Sequence, residues 1–217
     1  MQFKALNDHV YDYISDHITN GTIKPNEKIN EKQIAKDLSI SSTPVREALI
    51  KLEALGYVTK IPRKGFYVNN LTLKQVKEKY AVIGVLDSLA ASLAFEYITD
   101  ADIKKMGDIV KKIDIAIKKI DFKIYFELQT EFHDIYINKC NNDELINELY
   151  RLKNSFIKKT YFINNDESKI STCEVLKASN KDHLKIIDFF KTGNKKGLLD
   201  FIKNVHWSVK YAKYDSF

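Results

Sequence analysis

Cysteine is almost absent from this chain: Cys140 and Cys173 are the only two among 217 residues, and no Cys-x-x-Cys pair occurs. That excludes a disulfide framework and a thiolate zinc knuckle, and it fits two free thiols in a reducing compartment. Proline is equally scarce, and Pro25, Pro44 and Pro62 all precede residue 70. Three of the seven glycines, Gly21, Gly56 and Gly65, fall in the same first third, so turns are expected there and few breaks beyond it. No apolar run approaches the roughly 20 residues of a spanning helix. Met1 to His9 has no apolar core of signal-peptide length. The expectation is a globular, cytoplasmic protein with no membrane partner.

What is present is an ordinary soluble mixture, 44% hydrophobic and 29% charged, enough to bury a core. A net charge of +6 favours an anionic partner without naming one. Residues 1–70 hold ten Lys/Arg against eight Asp/Glu, and 25 against 21 follow, so no block is a polybasic tail. Any nucleic-acid argument rests on where single cations sit.

Along the first third, Leu6, Val10, Tyr13, Ile14 and Ile18 form one apolar stripe that Gly21 ends. Asn30 can cap a second, short helix burying Ile34, Ala35 and Leu38, and Ser39-Ile40-Ser41 interrupts it. Ser42 or Thr43 can cap a third, with Pro44 in its first turn, an apolar face of Val45, Ala48, Leu49, Leu52 and Leu55, and Gly56 as its stop. Tyr57–Ile61 and Phe66–Val68 are β-prone runs around Pro62-Arg63-Lys64-Gly65, a hairpin whose loop exceeds two residues. From Leu71 on, apolar residues recur every three or four positions. Helices are expected near 73–98, 100–118, 121–140, 143–163, 173–191 and 195–213, with a polar break at 164–168. The fold class is mostly α: an N-terminal winged helix-turn-helix (1–70) with a small β-hairpin wing, then a C-terminal antiparallel helical bundle (71–217).

A short helix, a tight turn and a helix opening on small polar residues is the layout that sends a second helix into the major groove. Ser41, Ser42 and Thr43 can reach phosphates or base edges, and Arg46 can grip guanine O6 and N7. Lys32 adds a contact from the preceding helix. Arg63 and Lys64 beside Gly65 suit a wing that tracks the backbone. Read without a family, the same residues also fit a small helical subdomain with a solvated basic hairpin.

Gly21–Ala35, then Ser42-Thr43-Pro44-Val45-Arg46-Glu47-Ala48-Leu49, Leu52–Val58 and Arg63–Val68 resemble the N-terminal domain of the GntR family of transcription regulators. The resemblance implies double-stranded operator DNA as partner and binding as a homodimer. Ser42 stands where such proteins usually have arginine before Thr-Pro, which removes one bidentate base contact.

His133, His183 and His206 lie on three expected helices, and Gln129 sits one turn before His133 on the same face. Three imidazoles can hold zinc, nickel or manganese, with Gln129 an optional fourth donor. They also fit unrelated core or surface histidines, or a metal-dependent helical enzyme with Glu127, Glu131 or Asp182 as base. A DNA-binding protein with no small-molecule effector is a third reading. The aromatic pairs Tyr125-Phe126, Tyr161-Phe162 and Phe189-Phe190 read as core sooner than as a ligand cavity.

Residues 74–210 resemble the FCD effector domain of the FadR-like GntR subclass, with Phe132-His133, Asp182-His183 and Val205-His206 at its three histidine positions. That implies a metal-assisted site for a small-molecule effector. Gln129 replaces the usual aspartate, and Ile83 replaces an arginine common before a Leu-Glu pair, here Leu86-Asp87.

Overall fold

The computed structural model describes residues 6–19, 21–54, 56–70, 72–154 and 166–212. The chain opens with three helices, α1 (Leu6–Thr19), α2 (Glu31–Asp37) and α3 (Ser42–Ala54), and an antiparallel hairpin of β1 (Val58–Ile61) and β2 (Gly65–Val68). Asn30 caps α2 by accepting from the Gln33 N–H, which removes one of the unpaired donors at that end. Gly21 and Gly56 take positive φ just after α1 and α3, the conformation that closes a helix without a Cβ clash. The hairpin pairs Val58 with Val68 and Ile61 with Gly65, so its loop is Pro62, Arg63 and Lys64. Val10, Ile14, Ile18, Ile34, Val45, Leu49, Leu52, Val58, Phe66 and Val68 bury into one cluster.

Local pattern misplaces three details here. Helix α3 begins at Ser42, so Ser42 and Thr43 lie inside its first turn and neither precedes it as a cap. Leu6, expected in the buried stripe, is 52% exposed, because the stripe outruns the partners that cover it. Beyond the Lys24-Pro25-Asn26 turn, residues 26–29 run along the outer edge of β2: Ile29 N–H donates to Phe66 O and Val68 N–H to Glu27 O. This third rung buries Ile29. Leu55, expected on the α3 face, lies outside the described residues.

Among the described residues six α-helices follow: α4 (Leu73–Ala94), α5 (Asp100–Lys118), α6 (Phe122–Ile137), α7 (Asp143–Asn154), α8 (Asp166–Lys191) and α9 (Lys195–Phe201). Thr72 and Thr99 open α4 and α5 with capping boxes completed by Gln75 and Asp102. Their buried side chains form a second cluster, separate from the first, that includes Ile83, Ile109, Ile113, Phe132, Tyr136, Leu149, Ile186 and Phe190. Tyr125 and Phe126 belong to this core, whereas Tyr161-Phe162 and residues 155–163 of an expected helix lie outside the described residues. Helix α8 starts at Asp166 and not near 173. Asp166, Glu167 and Ser168, expected as a break, form its first turn.

Past α9 the helix widens into a π turn over Ile202–His206, with Trp207 N–H bonded to Ile202 O five residues back. The extra residue in that turn changes the direction in which His206 and Trp207 project. Gly84 of α4 makes room for it: a Cβ there would lie 3.0 Å from Trp207 Cβ and 3.1 Å from Lys203 O. Segment Leu73–Tyr97 is long and apolar enough to cross a membrane, although single polar residues break it into short runs. Its buried face carries Val76, Tyr80, Ile83 and Ala90 together with the ionisable Asp87, as a core helix does.

Candidate functional site

Two sites emerge, one on each cluster. On the first, Lys32, Ser41, Ser42, Thr43, Arg46, Arg63 and Lys64 are all exposed. The structure brings Lys32, Ser42 and Arg46 together on one groove of about 480 Å³ whose walls also include Lys28, Asn30 and Glu31. Arg46 uses its Nε to hold Glu31 at 3.2 Å and stays 64% exposed. An arginine held through Nε keeps its two Nη groups as donors for a bidentate contact. Arg63 adopts φ 62° and Gly65 φ 100°, which turns the wing tip sharply; Gly65 also tolerates the Lys28 stem, whose Cε lies 3.3 Å from a built Cβ. Lys28 was not among the residues expected from sequence. Its place depends on the third rung against β2, a pairing that no local pattern announces.

The second site is buried. His133 on α6, His183 on α8 and His206 in the π turn have 0%, 0% and 5% exposure, and each offers a ring nitrogen within 4.8 Å of the others. His133 and His206 face each other through their Nε2 atoms at 3.1 Å. The Asp87 carboxylate lies 3.0 Å from His133 Nδ1 and also accepts from Tyr136 Oη at 2.9 Å and Trp207 Nε1 at 2.6 Å. A carboxylate at Nδ1 favours the tautomer whose Nε2 lone pair is free.

His183 is held the same way. Its Nδ1 lies 3.0 Å from Asn180 Oδ1, and Asn180 is oriented by donating through Nδ2 to Val110 O and Asp114 Oδ1. His183 Nε2 is buried and has no partner, and so are His206 Nδ1 and Gln129 Oε1. Burial disfavours the charged ring, lowering His133 to about 3 and His183 well below the usual range. For Asp87, burial pulls upward, but His133, Lys153 and the Trp207 hydrogen bond outweigh it and hold the carboxyl well below its ordinary value.

Converging imidazole nitrogens are the donor set a divalent transition metal requires. Unpaired buried polar atoms are costly, and a cation among the three rings would satisfy His183 Nε2. The residues therefore fit a metal. Gln129 brings no negative charge, but Asp87 stands directly behind His133, and Asp182 Oδ2 lies 3.7 Å from His206 Nδ1, so the charge sits one layer out. The structure brings together the three histidines expected from sequence, leaves Gln129 Oε1 buried without a partner, and adds Asp87, Asn180 and Trp207, which the sequence did not announce. Ile83, at the position of the absent arginine, is fully buried core. Lys153 of α7 has a buried, unpartnered Nζ, 5.7 Å from the Trp207 ring centre. Glu131, weighed as a base, is in an ion pair with Lys105 at 3.2 Å.

Residues 6–68 match bacterial regulatory proteins of the gntR family, and residues 78–204 match the FCD domain. An uncharacterized HTH-type transcriptional regulator YdhC from Bacillus subtilis (strain 168) is 35% identical over 144 residues, 64% of this chain and 62% of that protein. The HTH-type transcriptional repressor RspR of Escherichia coli (strain K12) is 28% identical over 132 residues, 61% of this chain and 58% of its own. The chain thus spans about three fifths of the length of these relatives. The solved structure of E. coli McbR/YncC shares the fold at a TM-score of 0.75 with 22% identity, covering 98% of this chain and 100% of the other. These families and relatives are regulators, not enzymes.

Proposed function

The chain belongs to the gntR-type bacterial regulatory proteins that carry an FCD domain, and from that premise we propose that it is a transcription regulator whose operator affinity answers to a small-molecule effector. Residues 1–70 are its DNA-binding domain and residues 71–217 its effector domain. Two copies present α3 to successive major grooves of operator DNA in the cytoplasm. Ser41, Ser42, Thr43, Lys32 and Arg46 serve the major groove, and Arg63, Lys64 and Gly65 serve the wing.

In the effector domain, His133, His183 and His206 would hold zinc, nickel or manganese, with Gln129 an optional fourth donor. The observation that carries this reading is the convergence of three buried ring nitrogens, two of them with Nδ1 held by Asp87 and Asn180. Bound there, the metal supplies a Lewis-acidic position for an effector oxygen. Asp87 and Asn180 orient the rings, and the apolar shell of Phe132 and Trp207 excludes water. The Lys153 Nζ, buried without a hydrogen-bond partner near Trp207, is a donor to which a carboxylate could bind, which supports an organic acid as effector although Ile83 offers no arginine. Binding shifts the helical domain between arrangements that place the two DNA-binding domains differently, by its differential affinity for the two.

Metal analysis tests the site. Purified protein is expected to carry about one zinc, nickel or manganese per chain, and His133→Ala, His183→Ala or His206→Ala to lose it. Unchanged content in all three variants would remove the site.

A further inference from the structure

Opposite its buried face, α4 presents Val82, Val85, Leu89 and Leu93, each between 38% and 49% exposed. Steps of three and four residues put them on one line of the helix, about 17 Å long at 1.5 Å per residue. From Ala81 to Phe95 the sole charged residue is Asp87, and it is buried on the other face. Single exposed apolar side chains need no explanation. A charge-free line of four does.

We propose that this stripe is the dimer surface, with α4 of one chain packed antiparallel on α4 of a second copy across a two-fold axis near Leu89. The proposal rests on the dimeric reading above and supplies its contact. A two-fold axis brings a patch against itself, so an uncharged apolar stripe is self-complementary where a charged patch of one sign would repel. The ends add direction. Lys74, Lys77 and Lys79 outnumber Glu78 at the start of α4, and Glu78 is held by Lys74 at 3.7 Å. Glu96 and Asp100 follow its end, so antiparallel pairing sets a basic end against an acidic one and opposes the helix dipoles. A lipid surface fits less well, because the stripe is short of the roughly 30 Å hydrocarbon layer and is bracketed by charges.

Sedimentation of the full chain and of Leu89→Glu and Val85→Glu tests it, with circular dichroism confirming helix content. The wild type is expected as a dimer, each variant with a dissociation constant raised about tenfold or more, and Ile124→Glu on α6 as a dimer like the wild type. Leu89→Cys with a short thiol crosslinker is expected to give a covalent dimer, since Cys140 and Cys173 are buried, and Ile124→Cys to give none. A dimeric wild type whose variants stay equally dimeric and uncrosslinked would move the interface elsewhere while leaving the dimeric reading intact. A wild type that is monomeric with and without DNA, or that sediments with phospholipid vesicles as a monomer, would overturn both.

Discussion

Arg46 and Lys64 carry different physical jobs although both are exposed cations. Arg46 sits in the groove beside Ser42 and Lys32, so Arg46→Ala should cost about 1–3 kcal/mol on a specific site and relax its base preference. Lys64 lies at the wing tip, and Lys64→Ala should weaken specific and random DNA alike and flatten the salt dependence. Equal losses on both DNAs for both variants, read by fluorescence anisotropy at fixed salt, would count against the groove as the reading element. In the buried site, Asp87 acts through His133. Asp87→Asn keeps the side chain's shape but weakens its hold on the imidazole, so metal affinity should fall about 10- to 100-fold in a chelator competition. Wild-type affinity in that variant would reduce Asp87 to a packing role.

At the scale of elements, Gly84 is the point where α4 and the π turn touch. Gly84→Ala should push Lys203 and Trp207 outward, lower stability by about 1–3 kcal/mol and weaken metal binding with it; an unchanged denaturation midpoint would mean that the contact relaxes freely. The start of α5 gives a pH prediction. Slight burial works against the charge on Asp102, but hydrogen bonds from Lys139 and Thr99 prevail and bring it to about 2. An unfolded carboxyl titrates near 3.9, so the bonds stabilise the fold above that value and are lost as pH falls toward 2. The melting temperature of Asp102→Asn should therefore decline less steeply than the wild type's between pH 4 and 2, and parallel curves would remove Asp102 from the acid response.

Most elements whose cause is local are legible, Ser42 and Thr43 as caps and the break at 166–168 being the exceptions. Asn30 as a cap, Gly21 and Gly56 as stops, and the hairpin around Arg63 each depend on neighbours within a few residues, and all were expected from sequence. The three histidines read from sequence either as a metal set or as unrelated residues, and only resemblance favours the first, since their helices say nothing of how they meet. Asp87 was not legible: it looked like one polar residue in an apolar helix, and its bonds to Tyr136 and Trp207 span 49 and 120 residues. Lys28 escaped for the same reason, because its rung against β2 joins residues far apart in the chain. The π turn changes where His206 points without changing the apolar period that predicts the helix.

Over the whole molecule, one hydrophobic cluster carries an exposed cationic face and the other a buried, metal-competent centre. The effector site and the dimer surface have meaning for regulation only through sequence-specific DNA binding. The most direct measurement is the affinity of the full chain for a site selected from random DNA, against a scrambled site of equal length at one salt concentration. Binding to the selected site about 10³-fold tighter or more is the predicted result; equal affinity for both, falling together as salt rises, would contradict it.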